Sequence, residues 1–517
     1  MECSFIKIRR MGLTNDKAMR ILSKVYRAIS VALVVMCCLM LSAQSSDARD
    51  VTLETALDLA LNHTAKGGMI RGDLEVARMK YSARRINMYL PEISINGSLP
   101  SYQLDESYRA YSNSFDKQLF QAKNLSYQSF IQLDQTLFTG GTLVAKANLL
   151  KEDNRYPNTQ FPASENIRIY ENSERGFLNL QLDQPLFRPS AVKNELHNTR
   201  DDFEIAKMTQ VEDETALKKE VTEAYLGVLQ QTLQLQIARD ELERTTLKVD
   251  IDSAKLTDGV ISEEDYLVST SDRLDAELNV FDIETKLDES RRELRTLLDL
   301  EASEELTLSE PLLPDHFDDE QGERYAAGWE TTIPVVKAKY QFDKAERAAK
   351  FEGAGHGLTG DLKASYSMGR QKIEIDQDGV DGTHKNNVKT SGWTVSLDFS
   401  LPIWDGGAGR ASEKAAEFDA ERAKYEYTRA RRSARASIMN LVNQLDVSFE
   451  RLKIISKQIE LADNRLQIAR ERHADGQISM LTLLETKVSY LENKDRYLEE
   501  LKSYLLNRIE LQGKFAS

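Results

Sequence analysis

Asp258-Gly259-Val260-Ile261-Ser262 returns 217 residues later as Asp475-Gly476-Gln477-Ile478-Ser479. The same offset carries Pro185-Leu186-Phe187 onto Pro402-Ile403-Trp404, and Leu180 and Leu182 onto Leu397 and Phe399. A register held without a gap over such a span marks an internal duplication. Between these anchors the chain is cleared of helix breakers. Proline is absent from residues 190–310 and from 403 onward, and after Gly409 the only glycines are Gly476 and Gly513. Interior proline costs a helix roughly 3 kcal/mol and glycine about 1, so long helices are expected on both sides of each turn. Residues 411–475 alone would run on the order of 100 Å, too long for a compact core.

Heptad spacing supports a coiled-coil seam. From Ile438, steps of three and four give Leu441, Leu445, Ser448, Leu452, Ile455, Ile459, Ala462, Leu466, Ala469 and His473. From Val221 the same steps give Ala224, Val228, Gln231, Leu235, Ala238, Leu242, Thr245, Val249, Asp252 and Leu256, again 217 residues away. Each half also carries strands of period two. Ile93, Ile95, Gly97 and Leu99 alternate with polar residues, as do Leu178, Leu180 and Leu182. The second half repeats this with Leu362, Ala364, Tyr366 and Met368, and with Trp393, Val395, Leu397 and Phe399. One apolar and one polar face suit a membrane barrel with a wet lumen, or a soluble sheet over a core. An insertion in the first half, residues 130–138, nearly repeats 178–187 and reads as an additional hairpin near 126–155, either in the barrel or as an external flap.

The remaining features set class and location. Of 517 residues, 41% are hydrophobic and 29% charged, and the mean hydropathy of -0.48 excludes a polytopic helical membrane protein. Formal net charge is -15, which disfavours a nucleic-acid partner. Residues 28–43 (AISVALVVMCCLMLSA) follow seven basic side chains and read as a secretory leader, 1–43, cut after Ala43; an uncleaved anchor, or a lipoprotein at Cys37, is the alternative. Translation could equally start at Met11 or Met19. All three cysteines fall in this leader, and the chain beyond it carries a charge of -20. Residues 44–305 then form the first repeat with a helical hairpin at 190–302, 306–330 an acidic linker, and 331–517 the second repeat. That repeat has strands within 360–404 and a hairpin at 408–515.

Other motifs read as structure. Gly355-His356-Gly357-Leu358-Thr359-Gly360 precedes a strand rather than opening a helix, so it is not a phosphate loop. Asp376, Asp378 and Asp381 are out of step for a calcium loop. The histidines show no metal-ligand spacing and no nucleophile–base pair stands out, so no cofactor, metal or catalytic residue is expected.

Taken together, the chain resembles the TolC-like outer-membrane efflux channels. The resemblance rests on Val51-Thr52-Leu53-Glu54-Thr55-Ala56-Leu57-Asp58-Leu59-Ala60-Leu61, on Leu90-Pro91-Glu92-Ile93, on the paired strand ends and on the two Asp-Gly-x-Ile-Ser turns. It implies an α+β membrane protein: a homotrimer in which each protomer gives four strands to a twelve-stranded barrel, continued by a coiled-coil helical tunnel through the periplasm. Four strands cannot close a barrel, and an open edge cannot sit in lipid, so a cyclic assembly is required.

The resemblance further implies an exit duct in the outer-membrane lipid. A periplasmic adaptor and an inner-membrane transporter would be its partners. The adaptor-facing tips would comprise Asp258, Gly259, Ile261, Ser262, Asp475, Gly476, Ile478 and Ser479. Asp265 and Glu485 match entrance acids, Thr482 stands where another acid is expected, and Ile478 stands where a gating arginine is sometimes found. A soluble periplasmic adaptor or spacer of coiled coils is the alternative from another class.

Overall fold

The computed structural model describes residues 49–110, 117–158, 167–301, 306–310, 319–355, 357–401 and 403–515. The leader 1–43, linker residues 311–318, His356 and Pro402 lie outside these. In chain order the elements are β1 (Arg49–Val51), α1 (Leu53–Asn62), α2 (Ala65–Tyr89), β2 (Glu92–Ala110), β3 (Lys117–Thr136), β4 (Thr142–Pro157), β5 (Arg168–Leu186), α3 (Ala191–Thr257) and α4 (Glu263–Leu297). They continue as β6 (Leu306–Leu308), α5 (Asp319–Ala327), α6 (Ile333–Gly355), β7 (Thr359–Gln377), β8 (His384–Ser400), α7 (Ala408–Ala474) and α8 (Met480–Gly513). The two longest helices, α3 and α7, have 67 residues each, and both their ends keep the 217-residue offset. No helix among the described residues is long and apolar enough to cross a membrane.

Contacts divide the chain into two units. One unites β1, most of α1, the C-terminal half of α3, α4 and β6. Here β1 pairs in parallel with β6, and the fully buried Tyr225 lies with its hydroxyl 2.8 Å from the carbonyl oxygens of both Val51 and Ser309. Burial pushes the phenol pKa up, so it remains a neutral donor between the two strands' ends. Arg239–Glu284 (2.7 Å) and Lys248–Asp272 (3.0 Å) tie α3 to α4.

The other unit contains α2, the first half of α3, α5 to α8 and the long strands. Its helical core is the seam between α7 and α8, where Ile438, Leu441, Leu445 and Leu452 meet Leu501, Tyr504 and Leu511. Every heptad step expected from Ile438 to His473 is buried or half-buried, as is every step from Val221 to Leu256 on α3. At the end of α8, Gly513 passes so close to Thr215 of α3 that an added methyl would lie 2.2 Å from its hydroxyl oxygen. Lys219–Glu510 (2.7 Å) and Lys337–Glu212 (2.6 Å) flank this approach.

The strands form one antiparallel sheet in the order β2-β3-β4-β5-β7-β8. Within this sheet the inserted hairpin, β3 and β4, pairs between β2 and β5, so the sheet of one chain has six strands where the resemblance implied four. The reason lies in the inserted sequence, which has the same alternation as its neighbours. One row of facing residues runs Ile93, Leu133, Ala145, Leu180, Tyr366 and Trp393, apolar on every strand. The next row, on the opposite face, runs Ser94, Gln132, Lys146, Asn179, Ser367 and Gly392. The apolar face is open to the outside, with Ile95 exposed at 79% and Trp393 at 77%. The polar face is sheltered in its middle, where Ser173 is fully buried and Gln132, Lys146 and Asn179 are half-buried, and open toward β8.

Replacing Leu445 with Ala removes a fully buried side chain from the α7–α8 seam, which costs roughly 2–5 kcal/mol. Replacing the exposed Val447 in the isolated chain costs far less. Denaturation midpoints of the two variants check this, and equal midpoints would remove Leu445 from the core.

Candidate functional site

Two turns and one sheet surface hold the residues singled out by sequence. Both turns have the same backbone. After α3, the Gly259 N–H donates to Leu256 O (3.0 Å) and the Val260 N–H to Lys255 O (2.8 Å). After α7, the Gly476 N–H donates to His473 O (2.9 Å) and the Gln477 N–H to Arg472 O (2.8 Å). This paired closure needs a left-handed residue just past the helix end. Gly259 (φ +68°) and Gly476 (φ +70°) supply it, with open space around both. Asp258 and Asp475 are exposed at the turns, and Ile261 and Ile478 are half-buried beneath them.

Each following helix is then capped by its serine. Ser262 accepts from the Asp265 N–H through its hydroxyl (3.1 Å), while Asp265 Oδ2 accepts from the Ser262 N–H (3.1 Å) and hydroxyl (2.6 Å). Ser479 accepts from the Thr482 N–H (3.3 Å), and the two hydroxyls lie 3.0 Å apart. Asp265 is thus the third residue of a capping box, a role the Ser-x-x-Asp spacing already encoded, and Thr482 is its positional equivalent in a one-way cap. The hydroxyl of Ser262 first, and its backbone amide second, hold the Asp265 carboxyl below the usual carboxylate range.

His473, which stands where α3 has Leu256, lies with Nδ1 3.1 Å from Ile478 O and so bridges the second turn. Glu485 is exposed one turn into α8. Asp378, from the motif that suggested calcium, accepts the Arg168 N–H (3.1 Å) and fastens β5 to the end of β7.

At the opposite end of the long helices, the strands terminate in exposed aromatics: Phe138 after β3, Phe187 after β5 and Trp404 after β8. Phe187 takes a left-handed φ of +66° to turn the chain toward α3, and Gly360 leaves room for its ring. Asp405 accepts the N–H groups of Gly407 (2.8 Å) and Gly409 (2.7 Å) and starts α7. Phe138 closes the inserted stretch 130–138, whose final Leu-Phe matches Leu186-Phe187.

Ser262→Ala removes the hydroxyl, the stronger of the two donors to the Asp265 carboxylate, and raises its pKa toward the ordinary value, the amide of residue 262 remaining. A carboxyl with a depressed folded pKa stabilises above its unfolded pKa and loses that contribution as pH falls through the folded one. The wild-type start of α4 therefore frays only at a lower pH than in the variant. Carboxyl NMR titration reads both, and an unchanged Asp265 midpoint would exclude the cap as the cause. Gly259→Ala and Gly476→Ala each force a methyl into left-handed backbone, costing about 1–2 kcal/mol, seen as lowered melting temperatures.

The sheet and turns can be set beside known proteins. The sequence profile of the family described as outer membrane efflux protein matches residues 170–299 and 333–513. The outer membrane protein TolC of Escherichia coli K12 is 21% identical over 182 residues, 35% of this chain and 37% of that protein. TolC of Salmonella enteritidis is 20% identical over 352 residues, 66% of this chain and 69% of that one. Among solved structures, the Campylobacter jejuni CmeC outer membrane channel superimposes with a TM-score of 0.58 at 13% identity, covering 90% of this chain and 86% of that one. The Vibrio cholerae outer membrane protein VceC gives 0.56 at 14%, covering 90% and 96%. These structural likenesses concern the fold; the family assignment rests on the profile, whose two matched segments span more than half of the chain. The chain belongs to the outer membrane efflux protein family.

Proposed function

We propose that this chain is the outer-membrane exit duct of a tripartite efflux or type I secretion system. It conducts its cargo passively. The observation that carries this reading is the exposed apolar face of the sheet, backed by a polar face, which suits hydrocarbon outside and water within. A soluble spacer would hide Ile95, Trp393 and Val395 instead of presenting them.

The working form is a homotrimer. Among the described residues of one chain neither edge of the six-stranded sheet is paired, and a stripe on α7 formed by Val447, Ile454, Leu461 and Ile468 is exposed at every seventh residue. A seven-residue apolar repeat is what a coiled-coil neighbour covers. The leader takes the chain to the periplasm, the sheet enters the outer membrane, and the helical hairpins extend into the periplasm.

The turns at Asp258, Gly259, Ile261 and Ser262 and at Asp475, Gly476, Ile478 and Ser479 face the periplasmic adaptor, and an inner-membrane transporter supplies the energy. Asp265, Thr482 and Glu485 line the entrance. Adaptor contact shifts the population of the helical hairpins toward an open state. Surplus carboxylate favours cations in the lumen.

Membrane fractions washed with carbonate retain the protein as a denaturation-resistant trimer; release into the wash as a monomer would favour the spacer. In bilayers, Glu485→Gln lowers cation preference and alters conductance, read from reversal potentials and single-channel currents. Values identical to those of the unaltered trimer would remove Glu485 from the entrance.

A further inference from the structure

Three strands point down toward the long helices, and each ends in an apolar-aromatic pair: Leu137-Phe138, Leu186-Phe187 and Ile403-Trp404. The first belongs to the inserted hairpin. That hairpin also has the apolar band of its neighbours at the same height. On β3 the band comprises Ile131 and Leu133, and on β4 Leu143, Ala145, Ala147 and Leu149. Ile131 faces Ile95 on one side and Ala147 on the other, and Ala147 faces Leu178. From Leu143 to Leu149 the band rises about 20 Å, close to the roughly 25 Å apolar belt of membrane barrels.

The turn between β3 and β4 is built as firmly as the wall. Leu137 N–H donates to Gly141 O (2.7 Å), Gly140 takes φ +92°, and Lys193 Nζ stands 5.2 Å above the Phe138 ring. A flap over the pore would have no reason to put apolar side chains on the lipid-type face, in register with the four other strands. A lumenal plug would need its polar face outward from the sheet.

We infer that the β3–β4 hairpin is a third wall hairpin, so that three copies of this chain close a barrel of eighteen strands rather than twelve. This rests on the trimeric duct proposed above. Closure is topologically allowed: six strands per chain is an even number, so β8 of one copy meets β2 of the next antiparallel, as every pair within the sheet already is. The occupant of each open edge is thus a second copy of this chain, and no edge is left in hydrocarbon. At a strand spacing of about 4.8 Å and a tilt of about 40°, twelve strands enclose a backbone cylinder about 24 Å across and eighteen one about 36 Å across. The outer-membrane segment is therefore half again as wide as the four-strand reading implies.

Tryptophan quenching by lipids brominated on their acyl chains tests this on full-length trimers in bilayers. Trp329→Phe with Trp404→Phe leaves Trp393 as a native reporter of the wall. Adding Trp393→Phe with either Ile131→Trp or Leu149→Trp moves the reporter to β3 or β4, at positions already exposed and apolar. The inference expects brominated lipid to remove most of the emission at all three sites. Quenching at 393 with none at 131 and 149 overturns the eighteen-strand wall and spares the duct. No quenching at any site overturns both. End-on electron cryomicroscopy of unaltered trimers gives a check free of substitutions: eighteen strands around the pore support the inference, and twelve refute it.

Discussion

An antiparallel sheet in water hides its apolar face, and this one presents it. That inversion is the constraint from which the other features follow. A face carrying Ile93, Leu133, Leu180, Tyr366 and Trp393 is stable only against hydrocarbon, while Gln132, Lys146 and Asn179 on the reverse need water. In hydrocarbon, an unpaired backbone N–H or C=O costs several kcal/mol, so β2 and β8 cannot remain edges. The need for a neighbour at each edge descends from this one condition. The aromatics Phe138, Phe187 and Trp404 mark the boundary where the apolar face stops and the helices begin.

The helical half obeys a different rule: its seam residues turn inward on a seven-residue repeat. Duplication has fixed the backbone there and released the side chains. Both turns close through the same two hydrogen bonds and the same left-handed glycine, although Leu256 in one is His473 in the other. Both helices that follow are capped by serine, although the third residue is Asp265 in one and Thr482 in the other. Main-chain hydrogen bonds set the geometry, so the chemistry displayed at each turn could diverge without loss of the fold. A charge at one turn and a neutral hydroxyl at its equivalent make the two hairpins alike in shape and unlike in field.

Much of this was legible in the sequence. Proline clearance and heptads located α3, α4, α7 and α8, and the 217-residue offset recurs in the ends of α3 and α7 to the residue. Period-two alternation located β2, β5, β7 and β8. The place of the inserted hairpin was not legible, because alternation says which side chains share a face but not which strands are neighbours. Pairing of Ala147 with both Ile131 and Leu178 is information that only the register carries. Asp265, Thr482 and Glu485 are entrance candidates only by analogy of position, whereas the capping bonds of Asp265 follow directly from the Ser-x-x-Asp spacing.

The equal length of α3 and α7 has a consequence for how such a molecule can change. Deleting one residue from the middle of α7 would rotate everything beyond it by about 100° and draw it back about 1.5 Å. Leu466 and Ala469 would leave the seam, and Gly476 would present its turn on the wrong side. Gains or losses of whole heptads, matched on α8, preserve the phase. Hairpin length is therefore a discrete variable, altered in quanta, while the loops that join the strands can drift by single residues.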